Sequence, residues 1–404
     1  MSSLVPRPST LLMVAALTAG AFWLQHGYPG LSEPQRLLAQ LAPLGVATFG
    51  LALSLWFHRG RIALVFLLLG LAYAVPWLYR PPDGEGLGRM YSGIALLIPV
   101  NLLLFGYLAE RGVRSAAGLA RLALLAVQGG LVTWGAVAPA SPVAELLMTD
   151  GVYSVPRYGG LSPVALGLYA VAGVGLLARY IYRRHPLDVG LLGALAATFP
   201  ALYSGGEVGM TVAFWGLAGL LLALAMVQES YRLAFIDELT GLPGRRALEE
   251  QLHSLGGTYA MAMSDVDHFK KFNDTHGHDV GDQVLKMVAA HLKRVGGGGR
   301  PFRYGGEEFT VLFPGRSAKE AAVIMDDVRE GLAGAGFRLR DKDRTEGEKG
   351  SQQRGKGGGD TVSVTISVGV AERDDQHPRS EEVIKAADEA LYRAKKGGRN
   401  RVAH

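Results

Sequence analysis

The first 230 residues of the chain contain no lysine, 13 arginines and 9 aspartates and glutamates. Ordinary soluble domains are about one quarter charged, so a water-exposed surface cannot be built from this stretch. Its charges are also confined. Eight segments lack Asp, Glu, Lys and Arg altogether: 8–32, 37–58, 62–79, 90–109, 122–144, 158–178, 189–206 and 208–228. Each is long enough, as a helix, to cross a hydrocarbon core that needs roughly 20 apolar residues. The expectation is an all-α transmembrane bundle of about eight helices over 1–228. The first segment follows Arg7 like a signal peptide, but its apolar run continues to Trp23 and Leu24 with no small-x-small cleavage signal ahead of a polar mature chain, and seven further spans follow. The seventh and eighth meet at Ser204-Gly-Gly-Glu-Val208, which leaves a seven-span reading open.

Arginine bias orients the bundle. With the N-terminus inside, the inner segments carry Arg7, Arg59, Arg61, Arg111, Arg114, Arg121, Arg179, Arg183 and Arg184, against Arg36, Arg80, Arg89 and Arg157 outside. Nine against four favours that topology. It makes the chain a multi-pass protein of the cell (inner) membrane with its C-terminal part in the cytoplasm. Apart from His26 and His58 toward segment ends, the spans lack the carboxylates and histidines of an ion path, which disfavours transport and leaves a sensor or an anchor. Glu207, Asp150 and nearby aromatics are candidates for a shallow outer ligand site or an interfacial belt; the input ligand itself is not legible.

The remaining 174 residues hold 28 of the 41 basic and 27 of the 36 acidic residues, so they compose a soluble domain. The absence of cysteine excludes disulfides, thiol catalysis and zinc–thiolate or iron–sulfur centres. The formal charge of +5 forms no basic patch interleaved with aromatics, and no nucleic-acid partner is expected. Residues 229–237 extend the last span as a connecting helix, and a catalytic domain is expected over 238–404. Tyr259 to Ser264 reads as a buried strand that delivers Asp265 to a sheet edge. Phe302-Arg-Tyr and Phe309 to Phe313 read as a hairpin whose tip is Gly305-Gly-Glu-Glu308. A strand is expected over 361–370, and helices over 280–295, 318–333 and 380–396. If the hairpin lies beside the first strand, Asp265, Glu307 and Glu308 converge. Hard oxygen ligands of that kind suit Mg²⁺ with bound phosphates better than zinc. Asn273 and Asp282 are the side-chain types that read a guanine edge.

Five blocks carry a family resemblance: Asp237-Glu-Leu-Thr-Gly-Leu-Pro243, the stretch Asp265 to Asp282, Arg303-Tyr-Gly-Gly-Glu-Glu-Phe309, Ser367-Val-Gly-Val-Ala371, and Ala387 through Lys395-Lys-Gly-Gly-Arg399-Asn400. Together they resemble the diguanylate cyclase (GGDEF) family over roughly 234–402, leaving the bundle uncovered. The resemblance implies an α/β, cyclase-like, palm-related fold with a central, mostly antiparallel sheet. It implies condensation of two GTP into cyclic di-GMP in a homodimer, each half-site holding one GTP and two Mg²⁺, with Mn²⁺ as a substitute. By motif position Asp265, the Val266 carbonyl, Glu307 and Glu308 would be the metal site, and one of the two glutamates would also assist the attacking hydroxyl. His268, Phe269 and Lys270 match the loop around the β- and γ-phosphates, where Lys270 would stabilise the departing pyrophosphate. Asn273 and Asp282 match the guanine contacts, and Lys395 and Arg399 the distal phosphate contacts. Two departures stand out. The Arg-x-x-Asp of product-inhibited members is replaced by Gly296-Gly-Gly-Gly299, so no such inhibitory site is expected. The segment 338–360, rich in Lys, Arg, Glu and Gly, is expected to be a disordered loop. A catalytically weak module that only binds GTP or cyclic di-GMP is the alternative reading, and a transporter with a nucleotide-binding regulator is a third.

Overall fold

The computed structural model describes residues 8–78, 85–149, 160–338 and 361–404. The chain divides into two compact units, 1–230 and 231–404. The segment expected to be disordered at 338–360 lies, apart from Arg338, outside the described residues, as does Asp150.

The first unit is helical: α1 Pro8–Gly27, α2 Glu33–Trp56, α3 Gly60–Leu78, α4 Gly86–Tyr107, α5 Ala116–Val137, α6 Pro142–Met148, α7 Pro163–Arg183, α8 Pro186–Tyr203 and α9 Val208–Phe235. Among the described residues, seven of these (α2, α3, α4, α5, α7, α8 and α9) are long and apolar enough to cross a membrane. The helix α1 is a further long apolar helix before them. The segment 122–144 is broken into α5 and the short α6, which Ser141 caps by accepting the Ala144 amide. Ser115 and Ser162 cap α5 and α7 in the same way, each such cap contributing about 1 kcal/mol. Between α8 and α9 the chain reverses through Gly205 and Gly206, at φ of 66° and 88°, which separates them into two helices.

Packing inside this unit relies on small residues. A Cβ at Gly50 would fall 2.2 Å from the Phe66 ring, and one at Gly190 would fall 2.4 Å from Ala225. Close backbone approach of this kind is how helices associate where lipid removes the hydrophobic drive. Phe66, Ile98, Leu102, Phe105 and Leu176 are buried between helices, while Val127, Leu131, Trp134, Val171 and Val174 face outward. Charge survives at helix ends as one buried and one half-buried pair. Arg179 Nε meets Asp188 Oδ1 at 2.6 Å, and Arg61 Nε meets Glu110 Oε2 at 3.2 Å.

The second unit contains α10 Arg245–Ser254, β1 Tyr259–Val266, α11 Phe269–His276, α12 His278–Leu292, β2 Arg300–Arg303, β3 Glu308–Pro314, α13 Ala318–Gly334, β4 Phe337–Arg338, β5 Thr361–Val362, β6 Ile366–Glu372, α14 Ser380–Lys396 and β7 Val402–Ala403. Five strands form a mixed sheet in the order β2-β3-β1-β6-β7. All neighbours are antiparallel except the parallel pair β6 and β7. The central β1 is buried along its whole length, and its side chains alternate between two cores. Ala260, Ala262 and Val266 join Val288, Phe309, Val311 and Met325 on the α12–α13 side. Tyr259, Met261 and Met263 join Leu248, Leu312, Val383 and Leu391 on the α10–α14 side.

The strand expected over 361–370 is divided. Thr361 and Val362 pair with β4, whereas β6 begins at Ile366 and pairs with β1. Between them Thr365 is engaged elsewhere. Its carbonyl accepts the Asp267 amide at 2.9 Å and its hydroxyl donates to Asp267 Oδ2 at 2.7 Å.

Candidate active site

Strand pairing aligns Asp265 with Glu308 of β3 on one side and Ser367 of β6 on the other. Asp265 is thereby delivered to the sheet edge, 7% exposed, on the face that α14 covers. From the last turn of α14, Lys395 Nζ lies 2.9 Å from Asp265 Oδ2. Beyond the strand, His268 takes a left-handed backbone (φ 58°) and starts α11. The first turn of that helix presents amides without intrahelical partners, a favourable place for an anion.

A cavity of about 390 Å³ is lined by Asp265, His268, Phe269, Lys270, Lys271, Asp274, Glu307, Lys395 and Arg399. Four cations and three carboxylates in one concave surface suit a polyanion that brings metal with it. Burial pushes the Asp265 carboxyl up, Lys395 offsets part of that, and Asp267 adds to it. Burial also pushes up Glu307, reinforced by Asp265 and Glu308. These carboxylates therefore feel one another and lack sufficient countercharge. The Lys395 ammonium stands where a bound cation would neutralise Asp265.

Glu308 is placed differently. Its carboxylate folds over Gly305, where a Cβ would come within 2.7 Å of Oε2, and it is absent from the cavity lining. Among the described residues no three His, Asp or Glu side chains form a group able to hold a metal alone. That donor set fits Mg²⁺, which is ordinarily held by one or two carboxylates with water and substrate phosphates completing its shell. Val266 ends the buried strand, and its amide donates to the Glu307 carbonyl at 3.3 Å.

Asn273 and Asp282 stand outside this lining, and Asn273 packs against Gly281, the residue that precedes Asp282 on α12. A Cβ at Gly281 would lie 1.8 Å from Asn273 Oδ1. That oxygen is buried without a hydrogen-bond partner, while Asp282 is exposed. An orphan amide next to a free carboxylate is a recognition pair awaiting donors.

Two supports were not found from the sequence. Asp237 accepts from Arg303 Nη1 at 2.9 Å through both oxygens, and Arg303 also donates to the carbonyls of Gly305 and Gly306 at 3.2 and 2.6 Å. Burial would raise Asp237, but hydrogen bonds from Thr240 and Arg303 hold its carboxyl below the usual range. Asp237 thus anchors the tip of the glycine hairpin. Asp267 is the second support: it accepts from Thr365 Oγ1, Ser367 Oγ and the Asn400 amide, at 2.7, 2.7 and 3.0 Å. Both acids fall within the sequence blocks that carry the family resemblance, but nothing in those blocks named a role or a distant partner for either.

A family model described as diguanylate cyclase, GGDEF domain, matches residues 234–401. The second unit is a GGDEF domain. It is 35% identical over 184 residues to the diguanylate cyclase DgcP of Pseudomonas aeruginosa, covering 44% of this chain and 25% of that one. It is 36% identical over 184 residues to the response regulator PleD of Caulobacter vibrioides, 44% of this chain and 37% of that one. The diguanylate cyclase VdcA of Vibrio cholerae is 36% identical over 183 residues, 44% of this chain and 48% of that one. The chain thus spans from a quarter to about half the length of these relatives. A solved structure of the coiled coil and GGDEF domain of DgcB from Caulobacter crescentus, in complex with c-di-GMP, is 32% identical, with a TM-score of 0.37 over 44% of this chain and 88% of that one. Within the GGDEF domain of this chain, the signature residues are Gly305, Gly306, Glu307, Glu308 and Phe309.

Proposed function

We propose that the chain is a multi-pass membrane diguanylate cyclase that converts two GTP into cyclic di-GMP and two pyrophosphates. The carrying observation is the shared cavity of Asp265 and Glu307, ringed by Lys270, Lys271, Lys395 and Arg399. Asp265, Glu307 and the Val266 carbonyl would hold Mg²⁺, with Glu308 at the margin of that set. When bound, the metal lowers the pKa of the attacking 3′-hydroxyl and neutralises charge on the α-phosphate. Glu307 or Glu308 receives the hydroxyl proton as the new P–O bond forms and the bond to pyrophosphate breaks. Lys270 and the α11 amides stabilise the leaving pyrophosphate, and Lys395 and Arg399 hold the distal phosphates. Asn273 and Asp282 take up the guanine through the orphan amide and the free carboxylate. One nucleotide per cavity requires a second copy of the chain for ring closure, so the working assembly is a homodimer. The arginine asymmetry of the bundle supports a cytoplasmic GGDEF domain, and in this reading the first unit gates it.

The test uses the full chain in lipid nanodiscs with GTP and Mg²⁺, with product resolved by chromatography. Cyclic di-GMP is expected, abolished by EDTA and reduced at least about 100-fold by Asp265→Ala. Nucleotide binding without product would replace this reading with a binding module.

A further inference from the structure

We propose that the α2–α3 turn and the α4–α5 loop form a binding site for the phosphate headgroup of an anionic phospholipid. The proposal rests on reading the first unit as membrane-embedded. His58 and Arg59 of the turn and Arg114 of the loop line, with Leu55 and Val113, a cavity of about 530 Å³.

The two connections are built against each other. His58 adopts a left-handed backbone (φ 55°) at the end of α2, and the Arg59 amide donates to the Ser54 carbonyl at 2.7 Å. This folds the turn back over the helix end. A Cβ at Gly60 would lie 2.3 Å from the Arg111 carbonyl, and one at Gly118 would lie 2.3 Å from that of Gly112. Only glycines permit that approach, so turn and loop share one surface.

Charge separates this cavity from its surroundings. Arg61 is engaged by Glu110 and by the Gly106 and Leu108 carbonyls, and Arg121 Nη2 donates to Ala109 O at 3.0 Å. Among the described residues the guanidiniums of Arg59 and Arg114 make no ion pair or hydrogen bond, and no carboxylate lines the cavity. Two free planar forks beside an imidazole match a phosphate, which Arg grips bidentately. Leu55 of the lining is 47% exposed, and Trp56 and Phe57, which follow it in the chain, are 81 and 43% exposed. An anion held between cations, with hydrocarbon alongside, is the chemistry of a phospholipid rather than a free phosphate. These arginines also belong to the set that the charge bias assigns to the inner leaflet, whose lipids are anionic.

The experiment takes the full chain in mild detergent, adds equimolar phosphatidylglycerol and phosphatidylcholine, and counts retained lipid by native mass spectrometry. The wild type is expected to favour phosphatidylglycerol roughly fivefold or more. The pair Arg59→Gln with Arg114→Gln should bring that ratio to about one, whereas Arg59→Lys with Arg114→Lys should keep part of it, since charge remains but the fork is lost. Arg111→Gln, outside the cavity, should leave it unchanged. Equal retention of both lipids by the wild type overturns the proposal. So does an unaltered ratio in the Gln pair, an equal loss in Arg111→Gln, or displacement of lipid by millimolar inorganic phosphate. Should the Gln pair not fold, the Lys pair decides: full selectivity in it rejects a guanidinium fork. Failure of membrane embedding would be visible separately, as recovery of the chain without detergent.

Discussion

Asp265 and Glu307 hold protons more tightly in the folded chain than in an unfolded one, because burial opposes their ionisation, reinforced by Asp267 at the first and by Asp265 and Glu308 at the second. Raised carboxyl pKa values mean that the folded state gains stability below the ordinary carboxylate range and loses it as pH climbs through the raised values. At neutral pH, without metal or nucleotide, the pair therefore strains the fold. Glu307→Gln should melt higher than the wild type at pH 7 in EDTA, with the difference closing as pH falls below the ordinary carboxylate range. It should also lower product formation about 100-fold, in keeping with loss of a group aimed at developing charge. A thermal scan across pH that shows a lower transition for the variant at pH 7 would contradict this. Asp237 works in the opposite sense, its carboxyl being held down by Thr240 and Arg303. Its contribution is present at neutral pH and is lost as pH drops through the depressed value. Asp237→Ala should cost roughly 2–3 kcal/mol, the range for hydrogen bonds to charged groups, and loosen the hairpin tip; denaturant unfolding measures the first and turnover the second. The motif carboxylates were legible because their neighbours in sequence announce them. The Asp237–Arg303 tie was not, since the partners are 66 positions apart and sit in two separate motif blocks with nothing local to join them.

At the level of elements, the site depends on how closely α14 lies on the sheet. A Cβ at Gly369 of β6 would come 2.0 Å from the Leu391 amide and 2.2 Å from the Ala387 carbonyl. Neither backbone atom can retreat without moving the helix that carries Lys395 to Asp265. Gly369→Ala is expected to destabilise the domain by about 3 kcal/mol, the upper part of the usual overpacking range, and to cut activity disproportionately. Chemical denaturation alongside turnover would reveal it, and an unchanged midpoint would count against this packing. The buried strand β1, the hairpin and the terminal helix were readable from the sequence, while the alternation of β1 side chains between two cores came only with the fold. The division between β5 and β6 was not, because a run of β-branched residues reads the same whether or not Asp267 interrupts it.

Across the whole molecule, two kinds of sequence meet within one helix, α9, which runs from Val208 to Phe235 and changes from apolar to charged near Gln228. Under the proposed gating, the register of this helix matters. Inserting two alanines after Gln228 rotates the C-terminal end of the helix by about 200° at 3.6 residues per turn. Turnover should change several-fold while the purified chain keeps its melting temperature; equal activity would argue that the first unit is only an anchor. The apolar, helical character of the first unit and the family of the second followed from the amino-acid order alone, because charge depletion and contiguous motifs are local properties of a chain; the count of about eight did not, since seven described helices reach spanning length and apolarity. Tertiary structure decided which carboxylates face one cavity, which arginines remain free, and that Glu308 turns toward Gly305 while Glu307 faces Asp265. Those outcomes depend on strand register and helix approach between residues far apart in the chain, a geometry that no local pattern encodes.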